Sequence, residues 1–296
     1  MTRIPLAASV LAASILAACA EEGVTDADPV PLGVEAEEGT TLATAPAPTM
    51  AEGPTLTTYD CGTIQVGDLD IFADDGSYAG QSDTFTDSCY LIRHPDGRSL
   101  LWDLGVPAGL AEGEPLVNGP FTVSLERTLA DQLGGTAPTY VAVSHSHFDH
   151  VAQAEAAAGA TWLVHEDELA HMEAGMAEDQ TGGFAALMAM PTETFAGERD
   201  VFGDASVRIL PMPGHTPGHT ALLVDLAGEG PVLLTGDLYH REESREGEKV
   251  PRFNTDAEAT RASMAAFEAM AAELGARVVI QHEPRDVDAM VGRTLK

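Results

Sequence analysis

The residues His145-Ser146-His147-Phe148-Asp149-His150 bring three imidazoles and one carboxylate within six positions of each other. Imidazole and carboxylate together form a donor set suited to Zn²⁺. Neighbouring side chains on an extended backbone diverge, so these four donors cannot all reach one tetrahedral ion, and two metal ions are the natural reading. The hexapeptide follows the apolar run Tyr140-Val141-Ala142-Val143, which reads as a strand ending at the cluster.

Three more candidate donors stand in similar places. His215 lies in Pro211-Met212-Pro213-Gly214-His215-Thr216-Pro217-Gly218-His219, after the apolar run Ser206–Leu210. Asp237 closes Pro231-Val232-Leu233-Leu234-Thr235-Gly236-Asp237, and His282 follows Ala276–Gln281. Each comes after a strand-like segment, beside a chain-reversing Gly or Pro, so all would share one edge of a sheet. A lone histidine in any of these positions is more often structural. The repetition of the same placement makes the set a constellation.

The pattern His-x-His-x-Asp-His at 145–150, then Pro-Gly-His-Thr-Pro-Gly-His, then Thr-Gly-Asp, then a late histidine is similar to the metallo-β-lactamase superfamily of hydrolases. Within it, Tyr59-Asp-Cys-Gly62, Asp87-Ser-Cys-Tyr-Leu-Ile-Arg-His-Pro-Asp-Gly97, Val141–His150, Leu233–Tyr239 and Val250-Pro-Arg-Phe-Asn254 resemble the N-acyl homoserine lactonase family. The resemblance covers roughly residues 56–290. It implies an α/β fold, the four-layer αβ/βα sandwich, with metals at one edge.

It also implies a division of labour among the donors. His145, His147 and His215 would hold one zinc, Asp149, His150 and His282 the other, and Asp237 would bridge the two. Two ions about 3.5–4 Å apart can share a hydroxide whose pKa falls toward about 7, a nucleophile that needs no protein base. That hydroxide would attack an acyl carbon, with Asp149 as the proton carrier to the departing oxygen. The lactonase pattern has a Tyr three residues after the bridging Asp to hold the substrate carbonyl. This chain has Leu238, Tyr239 and then His240. Either Tyr239 or His240 could donate that hydrogen bond, and a histidine would add a pH dependence that a phenol lacks.

The elements that must carry these residues are legible as alternating patterns. Strand-like runs fall at 64–66, 88–92, 100–103, 140–144, 161–164, 207–210, 221–224, 232–235 and 278–280, and helical spacing falls at 125–133 and 257–274. Alternating α and β without a repeating period argues for two sheets covered by helices. The segment from Glu166 to Met190 holds Met172, Met176, Met188 and Met190 with Leu169, Phe184 and Leu187. Flexible thioethers suit an adaptable cleft for an acyl chain, although helix-core packing explains the same residues. His165 and His171 read as surface or capping residues, His94 as a turn residue, and His219 as a structural histidine.

The front of the chain has a different character. Residues 1–18 carry one positive charge and a short apolar run, and Leu16-Ala17-Ala18-Cys19 resembles a lipoprotein cleavage site. The run is too short for a permanent span, so it reads as a signal peptide with Cys19 as a lipid anchor in a bacterial envelope. Residues 19–54 lack Lys and Arg and are rich in Glu, Asp, Pro and Thr, the composition of a solvated tether. Residues 55–296 form the hydrolase domain. An exported compartment permits a disulfide, yet Cys61 and Cys89 stand beside strand-like runs where small buried thiols are common, and two free cysteines are expected.

Formal net charge is −32, from 47 acidic and 15 basic residues. Phosphate backbones need a basic surface, so nucleic acid is disfavoured as a partner. A negative field also favours a small neutral substrate over an anionic one. The reading is a hydrolase with two Zn²⁺ per chain that opens a lactone ring, with N-acyl homoserine lactones, and hence quorum quenching, as the expected substrate class. The alternatives are a periplasmic β-lactamase or another ester or amide metallohydrolase on the same scaffold. A lipid-anchored binding protein that lost its activity is disfavoured by the complete set of seven donors.

Overall fold

The computed structural model describes residues 52–296, so the leader, Cys19 and nearly all of the acidic tether lie outside the described residues. The strands in chain order are β1 (Thr55–Val66), β2 (Asp83–Arg93), β3 (Ser99–Trp102), β4 (Leu116–Asn118), β5 (Phe121–Ser124), β6 (Tyr140–Ala142), β7 (Thr161–His165), β8 (Thr192–Phe195), β9 (Arg199–Asp200), β10 (Val207–Pro211), β11 (Thr220–Leu226), β12 (Gly230–Leu234), β13 (Arg277–Val279) and β14 (Thr294–Leu295). The helices are α1 (Leu129–Leu133), α2 (Phe148–Val151), α3 (Glu166–Gly175), α4 (Gly183–Met188), α5 (Glu242–Glu246), α6 (Ala257–Leu274) and α7 (Pro284–Val287).

Two sheets form. The first runs β4-β5-β1-β2-β3-β6-β7-β8 with β14 paired to β1, and the second runs β13-β12-β11-β10-β9. Leu56, Tyr90, Ile92 and Trp102 of the first sheet bury against Ile209, Leu222, Val224, Val232 and Leu234 of the second. The outer face of the first sheet carries Leu91, Leu101, Val141 and Trp162 under Leu129, Val151, Met172 and Leu187 of the helices. On the second sheet's outer face, Leu223 and Leu233 pack under Met264, Phe267 and Ala271 of α6. Helix, sheet, sheet and helix make the four-layer α/β sandwich. Strands buried on both faces read as continuous apolar runs, which is why their cores were recognisable.

The helical pattern at 257–274 matches α6, whose N-terminus Asp256 caps by accepting from the amides of Glu258 and Ala259. The pattern at 125–133 begins too early. Thr128, itself extended, caps α1 by accepting from Asp131 N, and residues 125–127 lie outside the helix. The free-thiol expectation is also corrected, because Cys61 and Cys89 form a disulfide. Tyr59 pairs with Cys89 in the β1–β2 ladder, and a bulge between Asp60 and Gly62 shifts the register. That extra residue sets Cys61 within a Cα–Cα distance of 5.8 Å of Cys89, inside the range a disulfide spans.

Candidate metal centre

The hexapeptide divides its donors because a helix begins in its middle. His147 is the extended N-cap of α2, with φ −69° and ψ 159°, so His145 and His147 project from extended backbone while Asp149 and His150 project from the first helical turn. The other donors arrive from the second sheet: His215 from the β10–β11 loop, Asp237 just past β12, and His282 just past β13. Gly236 makes the last turn possible. Its φ is +53°, and a Cβ there would stand 2.6 Å from Nε2 of His219.

All seven donors converge as two adjoining groups, one of His145, His147, His215 and Asp237, the other of Asp149, His150 and His282. Nε2 of His215 lies 3.1 Å from Nε2 of His145 and 2.9 Å from Nδ1 of His147. Nε2 of His282 lies 3.3 Å from Nε2 of His150. The Asp237 carboxylate stands between the groups and offers one oxygen to each. Oδ1 is 3.2 Å from His150 Nε2 and 3.0 Å from His282 Nε2, whereas Oδ2 is 3.5 Å from His145 Nε2 and 3.3 Å from His215 Nε2. Asp149 is farther out, with its oxygens 3.9 and 3.7 Å from His150 and His282.

The rings are aimed by their outer nitrogens. Nδ1 of His215 donates to Asn254 Oδ1 at 2.8 Å, and Nδ1 of His282 donates to the Thr86 carbonyl at 3.0 Å. Nδ1 of His150 faces Asp103 Oδ2 at 3.1 Å. A neutral imidazole carries one proton, so once these contacts take it the inner nitrogens can offer converging lone pairs, to a cation or to the second proton that the carboxylates favour on His150 and His282. Lone pairs at such separations are satisfied by a cation between them. Asp237 Oδ1 is also buried with no hydrogen-bond partner. The donor set and this orphaned oxygen fit a pair of divalent ions of the zinc type.

Electrostatics divide the site the same way. Burial, reinforced by the neighbouring imidazoles, holds His145 and His147 well below the usual histidine range. Burial opposes charge on His150 and His282 too, but Asp237 and the other carboxylates outweigh it, lifting His282 to about 9 and His150 well above normal. Asp237 stays ionised despite burial because His240, His282, His150 and His145 surround it. His219 is outside the donor set. Its Nδ1 donates to the Met212 carbonyl, its Nε2 accepts from the Asp237 amide, and burial drops its pKa to about 3.

Of the two residues after Leu238, only His240 faces the donors. Its Nε2 lies 2.9 Å from Asp237 Oδ2, and its ring stacks on His282 with centroids 5.6 Å apart. Tyr239 turns to the opposite side, against Phe267 in the core beneath α6, with burial and then Glu268 pushing its phenol above the ordinary range. The alternation of the extended backbone at Tyr239 sends the two side chains apart. Tyr239 is therefore removed from the carbonyl-holding candidates.

A cavity of about 530 Å³ opens directly on the donors. Its walls include Phe72, Phe85, Phe121, Phe148 and Phe253, with Asp149, Asp237, His240 and His282 at its floor. The methionine-rich segment does not supply these walls. Met172 and Leu187 are core residues, Leu169, Phe184, Met188 and Met190 pack against that core, and Met176 is exposed. Helix-core packing accounts for the buried and partly buried methionines, while Phe184 also faces a cavity. His165 caps α3 by accepting from Asp167 N, and His171 and Phe184 line an adjoining cavity of about 780 Å³ that shares Phe121, His147 and Phe148 with the first.

Three positioning residues were not singled out from the sequence. Asp103, buried with φ +59°, accepts from Ser144 N and Gln281 Nε2, both at 2.6 Å. Gln281 Oε1 accepts from Gly236 N and Trp102 Nε1, each at 3.0 Å. Glu168 ties the Ser146 amide to Thr216 and Gly218. Asp103 ends an apolar run in the same way as the donors do, and that signal could have found it.

The layered sandwich and a two-part His/Asp centre at its sheet edge define a metal-dependent hydrolase scaffold. Residues 83–282 match the metallo-beta-lactamase superfamily, and the chain belongs to it. It is similar to an N-acyl homoserine lactonase of a Bacillus sp, 32% identical over 182 residues, which are 57% of this chain and 70% of that protein. The lactonase AiiA of Bacillus thuringiensis subsp. kurstaki is 29% identical over 172 residues, 54% of this chain and 66% of that one. AttM of Rhizobium johnstonii, also an N-acyl homoserine lactonase, is 29% identical over 217 residues, 66% of this chain and 81% of its own length. Among solved structures, an N-acyl homoserine lactone hydrolase with N-hexanoyl-L-homoserine at its catalytic metal centre superposes with TM-score 0.67 at 23% identity, over 80% of this chain and 96% of that one. AidC, a dizinc quorum-quenching lactonase, superposes with TM-score 0.60 at 18% identity, over 80% and 90%. The chain is an enzyme, a lactonase-like hydrolase of this superfamily.

Proposed function

We propose that the chain opens the ring of N-acyl homoserine lactones, using two zinc ions held by His145, His147 and His215 and by Asp149, His150 and His282, with Asp237 between them. The observation that carries this reading is the phenylalanine-walled cavity whose floor is the donor cluster and His240. An apolar cavity of this size suits a neutral acyl chain, and the few polar groups at its floor suit the ester end. Bound there, a pair of divalent ions supplies Lewis acidity and makes water acidic enough to act as a nucleophile near neutral pH.

The chain's own residues do the rest. Phe72, Phe85, Phe121 and Phe148 exclude water and hold the acyl chain so that the lactone carbonyl reaches the donors. Burial lowers the His240 pKa although Asp237 pulls the other way, and its Nε2 lies 2.9 Å from Asp237 Oδ2. From the cavity wall the ring N–H that faces Asp237 can turn to a carbonyl oxygen gaining charge. Asp149, on the cavity side of α2, would accept the proton that the attacking water loses and return it to the ring oxygen as it departs. The negative charge of the chain suits an uncharged substrate.

Purified protein assayed side by side on acyl homoserine lactones, nitrocefin and a simple aryl ester tests the reading. Turnover of the lactones at least ten times that of the others is expected. Preference for nitrocefin would replace it with the β-lactamase alternative. We further propose export and lipid anchoring at Cys19, supported by the Cys61–Cys89 disulfide, since such bonds persist in oxidising compartments. Labelled fatty acid should enter the protein and not its Cys19→Ala form, and an unprocessed, unlabelled protein would refute the anchor.

A further inference from the structure

Glu168 is a buried carboxylate that no step above uses. It stands in the first turn of α3, is 1% exposed, and forms no ion pair with Lys, Arg or His among the described residues. Burying a carboxylate without a cation costs several kcal/mol unless hydrogen bonds replace its hydration. Three such bonds are present. Oε1 accepts from the Ser146 amide at 2.7 Å, and Oε2 accepts from the Thr216 hydroxyl at 2.7 Å and from the Gly218 amide at 3.0 Å.

The partners are not scattered. Ser146 is the residue between His145 and His147, and Thr216 follows His215 directly. One side chain therefore fastens the two loops that carry three of the four donors of one metal group. Neither loop binds the other through a salt bridge, and they approach Glu168 closely enough that a Cβ at Gly218 would stand 2.2 Å from its amide nitrogen. An apolar residue could fill the same space. A carboxylate does something more, because the His145, His147 and His215 group has Asp237 as its one carboxylate, and that carboxylate also faces His150 and His282. The other group has Asp149 within it and Asp103 against His150.

We propose that Glu168 is the positioning residue of the His145/His147/His215 group: it sets the gap between the two donor loops and adds negative charge behind a group whose one carboxylate is shared, so that it governs cation affinity there and not at the Asp149/His150/His282 group. The inference rests on the dizinc reading above. It also predicts a separation of the two groups by their supporting carboxylates, Glu168 behind one and Asp103 behind the other.

The test is titration of chelator-stripped full chain with Zn²⁺ alone, in competition with a chromophoric chelator. Glu168→Gln keeps the shape, removes the charge and replaces one accepting oxygen by an amide nitrogen that cannot accept. One of the two binding constants should weaken by about 10–100-fold, the range for lost outer contacts at metal ligands, while the other changes less than about twofold. In a His282→Ala background the Glu168→Gln loss should persist, and in a His215→Ala background it should vanish. Thr216→Val removes one bond and retains the charge, so it should weaken the same site by a smaller factor and carries the test should Glu168→Gln fail to fold. Unchanged affinity in either folded variant, or equal loss at both sites, overturns the proposal. A wild-type chain that binds no Zn²⁺ at the His215 group would instead overturn the dizinc reading itself.

Discussion

Asp103 and Gln281 meet at 2.6 Å between carboxylate and side-chain amide, and this one bond joins the supports of both halves of the centre. Asp103 also holds the Ser144 amide and His150, while the other end of Gln281 holds the amide of Gly236 next to Asp237. The pair therefore fixes three donor segments, 144–150, 236–237 and 281–282, from beneath. Asp103 pays for its place with a left-handed backbone, φ +59°, a conformation that persists only where surrounding bonds enforce it.

Gln281→Leu should expose the strength of that link. Gly236 N–H and Trp102 Nε1–H would each lose a buried partner, at roughly 1–3 kcal/mol per unsatisfied group before relaxation, while Asp103 Oδ2 keeps His150. A loss of about 2–5 kcal/mol in urea unfolding is expected, with zinc affinity down by about 10–100-fold. Stability within about 0.5 kcal/mol of wild type would mean that the network is incidental.

Metal content gives a direct reading of the centre. Elemental analysis of the active full chain grown with ample zinc should approach two ions per chain, and a chelator should abolish activity. Asp237→Ala should be the most damaging single donor change, because each oxygen of that carboxylate faces a different group. An active preparation with one ion or fewer would overturn the paired arrangement.

The donors were legible in the sequence because each sits where an apolar strand stops and a Gly or Pro turns the chain. Pattern and position coincided for His145, His147, Asp149, His150, His215, Asp237 and His282. What was not legible depended on register and side-chain direction. Pairing of Cys61 with Cys89 needed a bulge that no local signal marks, and Tyr239 and His240 are separated only by alternation in backbone whose local geometry the sequence left open. Glu168 looked like any acidic residue in a first helical turn. The methionines of 166–190 fit helix packing and a cleft equally well, and only the arrangement of α3 and α4 over the sheet decides for packing.

The disulfide closes a sequence separation of 28 residues, which constrains the unfolded chain by about 3–4 kcal/mol in the loop-entropy account. The double variant Cys61→Ala, Cys89→Ala should be destabilised by up to that amount in urea, and reductant should shift the wild type toward it. Equal stability of oxidised, reduced and double-variant proteins would show that the bridge contributes nothing.

His94 offers a pH test away from the metal centre. Its Nε2 lies 2.9 Å from Asp204 and its Nδ1 2.9 Å from Asp96. Burial opposes its charge, but the bonds to Asp204 and Asp96 raise its pKa above normal, while Ser206 and His94 hold Asp204 at about 2. A raised histidine contributes fully below its unfolded value of about 6.5 and loses that contribution as pH rises through the folded value. The depressed Asp204 contributes above about 4 and fades in acid, so the stabilising window lies at roughly pH 4–6.5. His94→Gln should lower Tm by about 1–2 °C more at pH 5.5 than at pH 8.5, a small effect because the carboxylates are exposed. An equal loss at both pH values would rule out a charged contribution.

His240 is the residue on which the carbonyl-holding step turns. It stands three positions after Asp237, lines the cavity, and has its Nε2 2.9 Å from Asp237 Oδ2, whereas Tyr239 packs under α6. Loss of one donor to a developing oxyanion typically costs about 10²–10³ in turnover while leaving the fold in place. His240→Ala should therefore lower kcat on a lactone by about that factor with zinc content unchanged, and Tyr239→Phe should leave kcat within about twofold. A parallel fall in zinc content would assign His240 to orienting Asp237 instead, since its proton already faces that carboxylate. Full kcat in the His240→Ala protein would mean that no side chain after Asp237 touches the reacting carbonyl, leaving its polarisation to the metal centre alone.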